Sequence, residues 1–161
     1  MTAKTIIKQL DELSIPYELI EHPPAWTTEE ADQFIIGIEG VRTKSLFLTN
    51  KKKKNFYLLI MDDSKRLGMD YLAELIGEKR LKFASEELLL EKMNIEPGVV
   101  SIFGLIHNEL KDIQVLFDEE IMNEERLSFH PNDNTKTIFL KTTDAIKYIE
   151  YLSFPVKIIT I

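Results

Sequence analysis

The chain has no cysteine, which excludes a disulfide framework, a thiol nucleophile and a zinc–thiolate site. It lacks any apolar run near the ~20 residues needed to cross a bilayer. Its first residues, Met1-Thr2-Ala3-Lys4, hold no signal-peptide core. The expectation is a cytoplasmic protein that does not engage a membrane. Glycine and proline are sparse, at six each, and no linker, internal repeat or low-complexity segment stands out. HExxH, GxSxG, Walker and GxGxxG patterns are all missing. Basic residues are short too: 20 Lys and Arg against 27 Asp and Glu, a formal net charge of -7. That balance argues against a general nucleic-acid binder, but it leaves room for one basic face that meets one end of a structured RNA.

What is present fits one globular domain over residues 1–161, since 44% of the chain is hydrophobic and 29% charged. Ile6, Ile7, Leu10 and Leu13 recur at helical spacing and predict a helix over 2–13. A short strand is expected over 17–21, followed by the stiff connector His22-Pro23-Pro24. Thr27 with Glu30 three residues on forms a capping box, so a second helix should begin there and end by Gly37. Apolar runs over 44–48 and 55–61, joined by the polar tip Lys51 to Lys54, predict a β-hairpin. Further along, helices are expected over 70–76, after Ser85 and over 145–152. Strands are expected over 79–83, 114–117, 126–129, 137–140 and 156–161, with a short acidic turn between 117 and 126. The irregular interleaving favours an α+β fold, a mixed, largely antiparallel β-sheet with flanking helices.

Lys44 draws attention because it shares a strand face with Leu46 and Leu48. Such a cation either lines a pocket or snorkels past the edge into water. The run Pro97-Gly98-Val99-Val100-Ser101-Ile102-Phe103-Gly104-Leu105-Ile106 is apolar yet punctuated by glycines. A helix is not expected there. A loop passing close to a ligand is, because glycine permits tight approach. Glu86 and Glu87 read as charges at a helix N-terminus. The lysine tip reads as a solvated turn, with phosphate contact as the alternative. His22, His107 and His130 are isolated in sequence, and Ser101 has no base marked for it.

Four ordered segments carry a resemblance. They are Glu39-Gly40-Val41-Arg42-Thr43-Lys44-Ser45-Leu46-Phe47-Leu48, Lys79-Arg80-Leu81-Lys82-Phe83-Ala84-Ser85-Glu86-Glu87, Pro97-Gly98 through Gly104-Leu105-Ile106, and Phe129-His130-Pro131-Asn132-Asp133-Asn134-Thr135. Together they resemble the YbaK-like editing domain associated with prolyl-tRNA synthetase, and most of all its free-standing PrdX- or ProX-type alanyl-tRNA(Pro) deacylases. The resemblance implies hydrolysis of the ester that joins a wrong amino acid to tRNA, a second sieve where one methylene discriminates by only ~1–3 kcal/mol. It implies catalytic roles for Lys44, Gly98 and His130, with Lys44 on the phosphate or terminal adenosine of the acceptor end. It implies substrate contacts from Lys44, Ser45, Val99, Val100, Ser101, Ile102, Phe103 and Gly104. No metal, cofactor or protein nucleophile is implied, since a ribose hydroxyl and a positioned water suffice. The partners implied are the tRNA acceptor end and prolyl-tRNA synthetase.

The chain departs from the family pattern at three places. Ile102 stands where the loop usually ends in proline, Ser45 where asparagine commonly follows the lysine, and His107-Asn108 where Asn-Asp is usual. The alternative reading is therefore a module of the same fold that binds aminoacyl-tRNA and hydrolyses it weakly or not at all.

Overall fold

The computed structural model describes residues 2–161. Helix α1, Ala3–Glu12, starts where the Thr2 side chain accepts a hydrogen bond from Thr5 N–H, and it buries Ala3, Ile6 and Leu10. After strand β1, Glu18–Glu21, helix α2, Thr28–Phe34, is capped by Thr27, whose side chain accepts from Glu30 N–H. A cap of this kind is typically worth ~1 kcal/mol. The hairpin follows, with β2 over Val41–Asn50 and β3 over Phe56–Asp62. Next come α3, Met69–Ile76, β4, Leu81–Phe83, and α4, Glu86–Met93. The Ser85 side chain caps α4, and Glu86 and Glu87 occupy its first turn. The chain closes with β5, Ile113–Asp118, α5, Glu119–Met122, β6, Arg126–Phe129, β7, Lys136–Lys141, α6, Thr142–Tyr151, and β8, Val156–Ile159.

The eight strands form one mixed sheet in the order β1-β7-β6-β2-β3-β5-β8, with β4 paired to β2. Four pairings are antiparallel (β1–β7, β2–β3, β2–β4, β6–β7) and three parallel (β2–β6, β3–β5, β5–β8). The α+β expectation of a mixed, largely antiparallel sheet is borne out. Alternation sends Phe47, Leu58 and Ile60 to one apolar cluster with Ile6 and Leu10. It sends Leu48, Leu59 and Met61 to the other, with Leu72 of α3. Both faces are covered, which is why the strands read as unbroken apolar runs.

Strand β2 changes neighbours along its length. On one edge it pairs with β3 from Thr43 to Thr49. On the other it pairs with β6 only at Val41 and Arg42, and with β4 only from Leu48 to Asn50. Residues 43–47 therefore have an edge with no strand beside them.

Two expectations are corrected. Ile102–His107 forms a 3-10 helix where no helix was expected. The Ser101 side chain accepts from Phe103 N–H at its start, and Gly104 packs so closely on α4 that a Cβ would lie 2.8 Å from Met93 Cε. The acidic turn between β5 and β6 is helix α5, begun by the Asp118 side chain accepting from Glu120 N–H. Among the described residues, no helix is long and apolar enough to cross a membrane.

Candidate active site

The open edge of β2 borders a cleft of about 200 Å³. Thr43, Lys44, Ser45 and Leu46 line it from the strand. Both strand faces contribute because the cleft lies at an edge. Ala31 and Asp32 of α2, with Ile35 just past its end, form a second wall; Gly98, Val100 and Ser101 a third; Ser128, Phe129, His130 and Thr137 a fourth. Arg42 fixes the α2 wall by donating to the carbonyls of Ile35 (2.5 Å), Ile38 (2.6 Å) and Gly40 (2.7 Å). The β6 wall is tied to β2 by Thr43 Oγ1 donating to Ser128 O and Ser128 Oγ donating to Val41 O.

Backbone parity decides which peptide groups face the cleft. Phe47 O accepts from Ala84 N–H on the β4 side, whereas Arg42 O accepts from Asp63 N–H on the β3 side. Ser45 shares the parity of Phe47, so its N–H and C=O turn to the open edge. Across the cleft, Glu96 to Val99 form a turn closed by Val99 N–H donating to Glu96 O at 3.4 Å. Pro97 and Gly98 are its central residues, and Gly98 has φ +91°, the conformation such a turn demands at its third residue. The N–H groups of Val100 and Ser101, just beyond, make no backbone hydrogen bond among the described residues.

Lys44 is half-buried, and Nζ donates to Lys65 O at 2.5 Å. That carbonyl is itself held in place, since Lys65 Nζ pairs with Asp118 and Glu120, both at 2.8 Å, and donates to Ile161 O. Among the described residues Lys44 makes no ion pair within 4.0 Å. Beside it lies a pair of carboxyls. Burial and a hydrogen bond to Asp32 push Asp63 up to about 7, with Asp62 adding to the rise and Lys44 opposing it. Asp63 Oδ2 is buried with no donor facing it, and a proton shared with Asp32 resolves that mismatch. Asp32 is the sole carboxylate among the residues lining the cleft.

Burial pushes His130 below its ordinary value, so the imidazole is neutral at pH 7. Its Nδ1 lies 3.0 Å from Lys136 O, and only a protonated nitrogen bonds to a carbonyl. Nε2 is therefore the acceptor. The Ser101 hydroxyl is occupied in both senses, donating to His130 O (2.7 Å) and accepting from Phe103 N–H (3.2 Å). It holds two walls together rather than standing ready as a nucleophile. Among the described residues no group of three His, Cys, Asp or Glu could hold a metal.

Of the residues singled out in the sequence, Lys44, Ser45, Gly98, Val100, Ser101 and His130 meet at this cleft. Val99 lines a neighbouring cleft instead. Ile102, Phe103 and Gly104 are buried in the core and do not line the cleft, because the 3-10 helix turns them toward α4 and β6. Of the stretch Val99 to Gly104, Val100 and Ser101 alone line this cleft. The departure at Ile102 is a core residue, and His107 lies at the far end of the 3-10 helix. Asp32 and Asp63 went unnoticed in the sequence; 31 residues apart and in no motif, they gave no signal there.

Comparison with known proteins places the chain in a family. Residues 22–148 match the aminoacyl-tRNA editing domain family. The chain is 36% identical over 151 residues to the prolyl-tRNA editing protein ProX of Acetoanaerobium sticklandii, covering 93% of this chain and 92% of that one. It is 30% identical to prolyl-tRNA synthetase associated domain-containing protein 1 of Danio rerio, covering 91% and 80%. A solved structure described as a candidate trans-editing enzyme for prolyl-tRNA synthetase shares the fold at TM-score 0.76 and 18% identity, covering 98% of this chain and 94% of that one. With the family match running from His22 to Tyr148 and so taking in every wall of the cleft, this chain belongs to the aminoacyl-tRNA editing domain family.

Proposed function

We propose that this chain is a trans-editing deacylase that hydrolyses mischarged aminoacyl-tRNA, with alanyl-tRNA(Pro) as its leading substrate. The observation that carries the reading is one small cleft holding a cation, a carboxylate and unpaired N–H donors. At about 200 Å³ it falls below the ~300–1,000 Å³ of ordinary ligand pockets. It suits a small aminoacyl group better than a large one.

The chemistry follows from the walls. The Lys44 ammonium takes the phosphate of the terminal nucleotide, exchanging a neutral carbonyl acceptor, Lys65 O, for an anionic one. Asp32 receives the α-ammonium of the aminoacyl group. Water adds to the ester carbonyl, and the oxyanion that forms is met by the N–H groups of Val100 and Ser101. One such donor was worth ~2.7–4 kcal/mol in a known case. Collapse expels the ribose oxygen, which takes up a proton, and the products are free amino acid and tRNA. Neutral His130, with Nε2 as acceptor, orients the water or the neighbouring ribose hydroxyl. Holding the reactants in line contributes ~7–11 kcal/mol at best. Ile102 lies in the core, so the missing loop proline removes no group from the cleft, which weighs against a module that only binds. Prolyl-tRNA synthetase is the protein partner this role calls for.

The test is a panel of tRNAs mischarged with Ala, Cys and Ser and incubated with the purified chain. Alanine should be released fastest, well above the spontaneous rate. Release at the spontaneous rate from all three would end the reading.

A further inference from the structure

Beside the active-site cleft lies a second one of about 330 Å³, lined by Ala25, Trp26, Glu96 to Val99 and Asn132 to Asn134. The two share Ala25 and Gly98. Three features mark the second cleft as built rather than incidental. Trp26, the chain's one tryptophan, stands 78% exposed on its wall, and a large flat apolar surface left open at a cleft invites a ring. The segment bearing it is held against the opposite wall, with His22 N–H donating to Thr135 O (2.8 Å) and Ala25 N–H to Asn134 O (3.0 Å). On that wall Asn132 sits at φ +57°, and its side-chain Nδ2 and Oδ1 are both buried without a partner. One donor and one acceptor side by side match the N6 amine and N7 of adenine.

The charge of this cleft separates a base from a phosphate. Its lining holds no lysine or arginine, and of its two carboxylates Asp133 is paired with Lys136 at 3.0 Å while Glu96 makes no ion pair among the described residues, so the Glu96 charge disfavours an anion and offers an exocyclic amine an acceptor. Position points the same way. In an aminoacyl-tRNA the ester sits on the ribose of the terminal adenosine, so ester and base lie one sugar apart. Gly98 forms the shared wall, and a Cβ there would meet nothing within 4 Å, which leaves the ribose a passage between the two clefts.

We propose that the second cleft is the subsite for the terminal adenine of the acceptor end, stacked on Trp26 and read by the Asn132 amide. The proposal rests on the deacylase reading and deepens it. Occupancy turns the Asn132 amide from its covered position onto the base edge. It also makes Trp26 a substrate-binding residue that touches no reacting atom.

A single tryptophan makes the test direct. The probe is 3′-alanylamino-3′-deoxyadenosine, in which an amide replaces the labile ester, with its cytidine counterpart as control. Saturable quenching of tryptophan emission by the adenosine compound, and weaker quenching by the cytidine one, is expected. Trp26→Ala should weaken binding, measured by calorimetry, roughly five- to a hundredfold, the range for losing one base–aromatic stack. Trp26→Phe should recover most of that loss. With alanyl-tRNA the Ala variant should raise KM by a similar factor and leave kcat nearly unchanged. Asn132→Gly, which tolerates the positive φ, should erase the preference for adenosine over purine riboside, which lacks the amine. Because Trp26 is exposed, its loss leaves the fold intact, and an unchanged Tm checks this. Calorimetric binding with unchanged emission would overturn the subsite and leave the deacylase reading standing. No binding, with deacylation intact, would overturn it as well. Loss of deacylation from every mischarged tRNA would instead remove the reading on which the subsite rests.

Discussion

Two side chains near the cleft carry separable predictions. Lys44 donates to a carbonyl and makes no ion pair among the described residues, so Lys44→Met forfeits one charge-assisted hydrogen bond, about 1.5–3 kcal/mol, and the fold stands. If the ammonium meets the acceptor-end phosphate, the same change cuts kcat/KM ten- to a thousandfold, or ~1.4–4 kcal/mol. Lys44→Arg also fails, because a planar fork does not replace a compact charge. Full activity in the Met variant would remove Lys44 from the mechanism. Asp63 is predicted to reveal itself through pH. Its folded value of about 7 stands above its ordinary 3.8. Between those values the folded chain holds a proton that the unfolded chain has released. Stability from this group is therefore fully present below pH 4 and lost as pH rises through 7. Asp63→Asn keeps a donor facing Asp32 at every pH, so its advantage in Tm should grow from pH 5 to pH 8. About 2–4 °C is expected for each kcal/mol in a domain of this size. Parallel Tm curves for the two proteins would show that the shared proton is not there.

Among the elements, those that depend on neighbours in sequence were legible and those that depend on distant ones were not. Thr27 and Ser85 announced their helices because a cap is a local bond. The β2–β3 hairpin was equally plain, since both strands and the tip lie within 22 residues. Lys44 could be placed on a strand, but not at a gap in the ladder, because that gap arises from pairings to β4 and β6 with 30 to 90 residues intervening. The 3-10 helix Ile102–His107 has no polar face to give it a period; its shape comes from Gly104 lodging against Met93. Trp26 and Asn132 are 106 residues apart, and no pattern in the chain links them. The tip of the hairpin carries its own prediction. Lys51 to Lys54 are exposed, and so are Lys79 and Arg80, just before β4, and Lys82 within it, beside the end of β2. At ~3.3 Å per residue the tip lies roughly 23 Å from Lys44 along β2, far enough to meet the acceptor stem and not its terminus. Changing Lys51 to Lys54 to Ser should leave Tm within about a degree or two. It should raise KM for tRNA at low salt, with the difference shrinking as salt screens the contact. Equal KM at low salt would return the run to a plain turn.

For the whole molecule, a net charge of -7 and a basic patch at one end of β2 together favour one orientation of approach, with the acidic remainder turning the RNA away. The cleft opens at the other end of the same strand, where the ladder omits a partner. A central strand is ordinarily where amide protons are slowest to exchange with solvent, because both its edges are bonded. Here Lys44 and Leu46 bond toward β3, while Ser45 faces the gap. The Ser45 amide should therefore exchange with deuterium orders of magnitude faster than its two neighbours, in the middle of a central strand. Filling the cleft with the alanylamino-adenosine probe should slow that one proton and leave Lys44 and Leu46 unchanged. Equal protection at all three positions would mean that the edge is closed in solution. An unsealed seam of this kind makes the site readable by isotope exchange, residue by residue, before any substrate has been turned over.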